Sequence, residues 1–262
     1  MQTPAIIEHI VDWLKSYSSR AGTGGFVVGV SGGIDSAVTS ALASRTDLPV
    51  LCLEMPIHQA ASQVARAHNH INRLRTTHPN VAGLRVDLTT VFDHFVSTVP
   101  AVEDESTRQM SLANTRARLR MMTLYYFASL HGYLVCGTGN KVEDFGVGFF
   151  TKYGDGGVDL SPIADLNKTE VYALGRELGV SEEILLARPT DGLFGDNRSD
   201  EEQLGASYEE LEWAMDFDEN EPEGLDPRQR KVLDIYRELH RANRHKMHPI
   251  PVCAIPKELK MD

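Results

Sequence analysis

Cysteine is scarce in this chain: Cys52, Cys136 and Cys253 are the only three among 262 residues, and no two share a paired spacing. A disulfide scaffold and a cysteine-built zinc site are thereby excluded. Cys52 and Cys136 fall inside apolar runs, which predicts small buried hydrophobes and a reducing, cytoplasmic setting. No apolar run approaches the roughly 20 residues of a membrane-spanning helix, and the N-terminus lacks the basic-then-apolar pattern of a signal peptide. A membrane partner is therefore not expected. The ten histidines are scattered without a metal-ligand spacing. Positive charge is also short: 26 Lys and Arg face 37 Asp and Glu, for a net charge of -11. Non-specific nucleic-acid binding needs clustered Lys and Arg, so that partner is not expected either. A small anion held by backbone groups stays compatible with the balance. Neither Gly-x-x-x-x-Gly-Lys-Ser/Thr nor Gly-x-Gly-x-x-Gly occurs, and no Ser-His or Cys-His nucleophile stands out.

What is present reads as an alternation of strands and helices. Thr3 as N-cap, Pro4 at the first helical position, and Ile6, Ile10, Trp13, Leu14 and Tyr17 on one face predict an opening amphipathic helix. Phe26 to Val30 is a buried strand, followed by a glycine turn and a helix carrying Ala37, Val38, Ala41 and Leu42. Val50 to Leu53, Leu84 to Val86 and Tyr133 to Cys136 are further strands, with helices over 58–75 and 104–131 between them. Residues 137–162 are glycine-rich and aperiodic, too long for a plain connector. A helix follows over 168–178, then helix starts at Ser199 with Glu202 and at Ser207 with Glu210, both at capping-box spacing. Residues 216–226 read as an acidic solvated loop, and a last helix begins at Asp226-Pro227. This order predicts one α/β domain over 1–262: an open parallel sheet with helices on both faces and ligands at the strand C-termini.

The strongest local signal is Gly29-Val30-Ser31-Gly32-Gly33-Ile34-Asp35-Ser36, set between a strand and a helix. Glycines let backbone N–H groups approach an anion, and the helix start adds its positive dipole end. Ser31 and Ser36 can donate hydroxyl hydrogen bonds to phosphate oxygens. Asp35 would repel a phosphate unless a bridging Mg²⁺ joins them, and Mg²⁺ takes one or two carboxylates plus phosphate oxygens. Farther along, Arg116 and Arg120 share a helix face; on spacing alone they fit a solvated basic face as well as a pyrophosphate clamp.

The Ser-Gly-Gly-x-Asp-Ser string resembles the pyrophosphate loop of the N-type ATP pyrophosphatases, which cleave ATP between the α and β phosphates and transfer AMP to a substrate oxygen. Asn114 to Met121, Gly137 to Asp144 and the stretch Phe149-Phe150-Thr151-Lys152-Tyr153-Gly154-Asp155-Gly156-Gly157-Val158-Asp159 narrow the resemblance to the ammonia-dependent NAD synthetases. It continues through Leu166-Asn167-Lys168-Thr169-Glu170, Pro189-Thr190-Asp191 and His245-Lys246, nearly the whole chain. The resemblance implies an adenine nucleotide alpha hydrolase-like, Rossmann-like fold. It also implies ATP contacts at residues 29–36, Thr138, Lys168 and Thr190, and Mg²⁺ carboxylates at Asp35 and Glu143. Deamido-NAD contacts would fall to Arg118, Lys152, Asp159, His245 and Lys246, with Arg120 a weaker candidate. Asp155, in the most distinctive loop, is a candidate to order that loop or to accept a proton from ammonium. Two stretches depart from the commoner family pattern, Asn140-Lys141-Val142 and Asn197-Arg198-Ser199-Asp200-Glu201.

The implied reaction has two steps: the nicotinate carboxylate of deamido-NAD attacks the α phosphorus, and ammonia then displaces AMP from the NAD-adenylate. ATP is the co-substrate and Mg²⁺ the cofactor. No glutaminase domain or N-terminal glutaminase cysteine is read in the chain, so ammonia is the expected donor. The family forms homodimers, and the long helix over 104–131 is the expected interface. The rivals are another N-type ATP pyrophosphatase acting on a different substrate and a non-catalytic nucleotide-binding module.

Overall fold

A computed structural model describes residues 1–190, 199–217 and 224–260. Four short strands form one parallel sheet: β1 (Phe26–Gly29), β2 (Val50–Glu54), β3 (Val81–Arg85) and β4 (Leu134–Cys136), in the order β3-β2-β1-β4. Parallel neighbours need crossovers, and helices supply them. The connections are α2 (Ile34–Ser44) after β1, α3 (Ala61–Thr77) after β2, and α4 (Thr89–Thr98) with α5 (Glu105–His131) after β3.

Successive strand residues point to opposite faces, so β1, β2 and β4 feed two cores, while the edge strand β3 gives only Val81 to one of them. Phe26, Val28, Val50 and Cys52 pack with α2, α3, α1 (Thr3–Ala21) and α6 (Lys168–Glu177). Val27, Leu51, Leu53 and Val135 pack on the other face with Phe92 of α4 and with Leu112 and Ala128 of α5. Each fully buried side chain of this size contributes about 1.5–3 kcal/mol relative to exposure. A third cluster joins a π-helical turn over Val142–Val147 to α9 (Tyr208–Asp216), α10 (Pro227–Met247) and Leu204 of the short α8 (Asp200–Leu204), while the short α7 (Glu182–Leu185) packs on the first core through Ile184. The expected open parallel sheet with helices on both faces is the fold observed. No helix among the described residues is long and apolar enough to cross a membrane.

Local differences from expectation have local causes. Gln2, not Thr3, is the N-cap of α1, and it makes no side-chain cap bond. The helix expected over 58–75 starts only at Ala61, because His58 sits at a φ of 51°, outside helical space. β3 begins at Val81, three residues before the expected Leu84. The aperiodic stretch 137–162 contains the π-helical turn, and α4 was not foreseen at all. Capping boxes form at Ser199 with Glu202, Ser207 with Glu210 and Asp226 with Gln229. Residues 218–223 of the expected acidic loop lie outside the described residues, as do Asp191, Asn197 and Arg198.

Chain order places β2 on one side of β1 and β4 on the other. The strand C-termini diverge there into loops, which leaves a crevice at the reversal of winding.

Candidate active site

Gly29, Glu54 and Cys136, the last residues of β1, β2 and β4, border one cavity of about 270 Å³. Its floor is the glycine loop. Gly32 holds φ at +84°, and a Cβ there would lie 2.5 Å from the Gln63 carbonyl oxygen of α3, so only glycine fits. Arg66 Nε donates to the Gly32 carbonyl at 3.2 Å and pins the turn from α3. Ser31 and Ser36 bond to each other, 3.1 Å between their hydroxyls, while Ser36 Oγ donates to the Gly33 carbonyl at 3.0 Å. Gly33 caps α2 without a side-chain bond, and Ile34, Asp35 and Ser36 of that helix's first turn line the cavity. Uncapped amides at a positive dipole end form an anion site.

A buried ion network stands beside the loop. Lys168, first residue of α6 and 3% exposed, places its ammonium 2.7 Å from Asp35 Oδ2 and 2.8 Å from Glu143 Oε1. Burial works against the charge on Lys168, but the two carboxylates outweigh it and hold the ammonium protonated. Burial likewise opposes ionisation of Glu143, and Lys168 prevails, keeping its carboxyl below the ordinary value. Asn140 is fully buried: its Nδ2 donates to Asp35 Oδ1 at 3.0 Å, and its Oδ1 accepts from Glu143 N at 3.1 Å. Tyr208 donates to Glu143 Oε1 at 2.6 Å, lies 3.2 Å from Asp200 Oδ2, and sits with its ring 4.6 Å from the ammonium. Thus Asp35 and Glu143, 108 positions apart in number, meet through one lysine and one asparagine.

Asp155 opens on the same cavity, and its Oδ1 accepts from Thr151 N at 3.0 Å. Asp155 is an exposed residue, yet the walls of the cavity crowd its carboxyl and push it up to about 6. Asp144, in the π-helical turn, is pushed up to about 8 by burial and then by Glu143, Asp155 and Asp35. All eleven residues expected to contact ATP, together with Glu143 and Asp155, line this one cavity.

The five residues expected on the dinucleotide do not line it. Four of them assemble beside the strap formed by residues 148–153. Arg118 donates to the Lys152 carbonyl at 3.3 Å, and Lys152 Nζ donates to the His245 carbonyl at 3.1 Å. Lys246 donates to the carbonyls of Phe150, at 2.7 Å, and Gly148. Asp159 stands apart, accepting from Val135 N at 2.8 Å and from the Tyr125 hydroxyl at 3.0 Å. Arg116 and Arg120 diverge in use: Arg116 lies over the Phe92 ring at 4.2 Å, whereas Arg120 donates to Met55 O and Gln59 Oε1 and borders the cavity.

The family model for NAD synthase matches residues 6–249. The chain belongs to the NAD synthase family. Among its relatives, the NH(3)-dependent NAD(+) synthetase of Carboxydothermus hydrogenoformans is 35% identical over 240 residues, 91% of this chain and 93% of that one. The corresponding protein of Alkaliphilus metalliredigens is 38% identical over 265 residues, 96% and 99% of the two chains. Among solved structures, the NMN synthetase of Francisella tularensis superposes with a TM-score of 0.84 at 29% identity, covering 97% of this chain and all of that one. The NH3-dependent NAD synthetase of Campylobacter jejuni, in complex with nitrate, gives 0.76 at 27% identity, with 97% and 100% coverage. Within this NAD synthase cavity, reasoning from sequence missed Glu54, and around it Asn140, Asp144, Tyr208 and Asp200 as a polar network. Glu54 carried a readable signal: a charge ends an otherwise apolar, fully buried strand.

Proposed function

We propose that this chain is a ligase that amidates deamido-NAD to NAD with ammonia at the expense of ATP, through an NAD-adenylate, releasing AMP and pyrophosphate. One observation carries the reading: a glycine loop at a helix start and an Asp35–Lys168–Glu143 network around a buried ammonium share one cavity. The amides at the start of α2, with Ser31 and Ser36, hold the departing pyrophosphate and stabilise charge that grows on it. Thr138, Lys168 and Thr190 complete the ATP contacts. Arg118, Lys152, Asp159, His245 and Lys246 hold the dinucleotide.

Mg²⁺ fits the donor set. Asp35 and Glu143 both present a carboxylate oxygen within 2.8 Å of one ammonium, so the pair already converges on a single cation. Among the described residues no third carboxylate, histidine or cysteine joins a metal-binding group, which suits an ion that takes few protein oxygens and fills its shell with phosphate and water. When bound, Mg²⁺ supplies charge neutralisation to the phosphates. In the second step Asp155 accepts a proton from ammonium; the freed amine attacks the acyl carbon, and the acyl–oxygen bond to AMP breaks. The enzyme works in the cytoplasm as a homodimer, whose interface takes the outer face of α5.

The deciding assay mixes protein, Mg-ATP, ammonium and deamido-NAD and follows NAD, AMP and pyrophosphate. Equal amounts of all three are expected. Glutamine replacing ammonium should give little product, and nicotinic acid mononucleotide is the control acid, because one structural neighbour is described as an NMN synthetase. Amidation of the mononucleotide in preference to deamido-NAD, or ATP turnover with neither acid, would overturn the reading.

A further inference from the structure

Glu54 has no place in the chemistry above, yet it is built into the same wall. We infer that its carboxylate reads the nucleoside half of ATP, accepting a hydrogen bond from a ribose hydroxyl or from the amino group of the base. The inference rests on the ATP reading and extends it to a residue that sets nucleotide specificity.

Glu54 ends β2, borders the cavity and is 6% exposed. Its Oε1 lies 3.0 Å from His68 Nδ1 of α3. Its Oε2 is buried and meets no hydrogen-bond donor among the described residues. A buried acceptor without a donor is costly, and a charged one more so, so a donor brought by a ligand recovers that loss. The pairing with His68 does not explain the burial, because that imidazole is 60% exposed and satisfies only one oxygen.

Position identifies the ligand group. Gly29 pairs with Leu53, and Val30 N donates to the Leu53 carbonyl at 2.9 Å, so Glu54 flanks Val30 at the entrance to the glycine loop. A phosphate in that loop cannot be the partner, since a carboxylate without a donor or bridging cation repels it. What hangs from the phosphates can be, because a nucleoside offers O–H and N–H donors. Dinucleotide folds with strand order 3-2-1-4 place an acid at the end of the second strand, about 20 residues past the glycine turn, against a ribose hydroxyl. Here the order is β3-β2-β1-β4, and Glu54 occupies the equivalent place in the sheet.

The test titrates wild type and Glu54→Gln by calorimetry with Mg-α,β-methylene-ATP, which resists cleavage, and with Mg-pyrophosphate, which has no nucleoside. The substitution should weaken the nucleotide about tenfold to a hundredfold and leave pyrophosphate unchanged. Wild type is also titrated with the 2′-deoxy, 3′-deoxy and purine-riboside forms of the analogue. One of these should show the same weakening and lose nothing further in E54Q, which identifies ribose or base as the source of the donor. Unchanged nucleotide affinity in E54Q, or no loss with any analogue in wild type, overturns the inference while the ATP reading stands. The analogue series needs no substitution and so decides even where E54Q fails to fold. Failure of wild type to bind either pyrophosphate or nucleotide sinks the ATP reading itself, and the inference with it.

Discussion

Lys168 shows how a single side chain can hold a site together. Its ammonium is buried between the half-buried Asp35 and Glu143, and removing it leaves like charges facing each other with little water between them. Breaking a buried pair in this way costs about 3–5 kcal/mol. Lys168→Met should therefore lower stability by about that amount in urea unfolding at pH 7. The deficit should shrink toward pH 4, as Glu143 takes up a proton and needs no counter-charge; a variant as stable as wild type at pH 7 would show that the pair contributes nothing. Asp155 yields a kinetic prediction. Its carboxyl, pushed up to about 6, accepts a proton from ammonium only when ionised. The amidation rate at fixed ammonium should rise through about pH 6, and Asp155→Asn should abolish that limb and slow amidation about a hundredfold or more, sparing pyrophosphate release. An unchanged amidation rate removes Asp155 from the chemistry. At this scale the glycine loop was legible because glycine, serine and aspartate there have few other uses. The partnership of Asp35, Asn140, Glu143 and Lys168 was not, because contacts between distant positions leave no periodic trace.

Among the elements, those with a clean apolar period or a capping box were legible, and those with neither were not. The boxes at Ser199 and Ser207 read directly, since the side chains that close them are only three positions apart. Helix α4 escaped because it buries only Phe92 and is rich in β-branched residues, so neither stripe nor propensity announced it. The π-helical turn is six residues long, too short to show a period. The α2–α3 contact carries a pH dependence of its own. His70 of α3 is buried, its Nε2 lies 3.0 Å from Ser40 Oγ, and Ser40 Oγ donates to the Ser36 carbonyl at 2.7 Å. The serine proton is thus committed, His70 donates through Nε2, and Nδ1 is buried with no partner among the described residues. Protonating Nδ1 would add an orphaned buried donor, and burial, aided by Arg73, pushes the imidazole down to about 4. The unfolded chain takes the proton near 6.5, so this residue's contribution is complete above that pH and is lost as pH falls toward 4. Chemical denaturation between pH 7 and 4.5 should show the decline, and His70→Gln should flatten it; equal slopes would assign the decline to other groups.

For the molecule as a whole, the architecture followed from alternation of buried strands with helices, because parallel strands demand helical crossovers. Assembly is a separate matter. Met122, Tyr126 and Leu130 recur at four-residue spacing on α5 and are all exposed, giving that helix an apolar outer stripe. The proposed homodimer buries this stripe, against a net charge of -11 that otherwise keeps copies apart. Tyr126→Glu combined with Leu130→Glu should convert dimer to monomer in light scattering, with the fold intact by circular dichroism. A dimer that survives both charges must use another face.

The ammonium between Asp35 and Glu143 also bears on how the protein behaves when starved of divalent ions. One lysine ammonium already offsets one of the two carboxylate charges from within the chain, so folding should need no dissolved metal. Dialysis against a chelator should leave the calorimetric melting temperature of the nucleotide-free protein where it was. Under the proposed function, a divalent ion bound by that pair would have to displace the lysine, which would make it the guest of the nucleotide and not of the apoprotein.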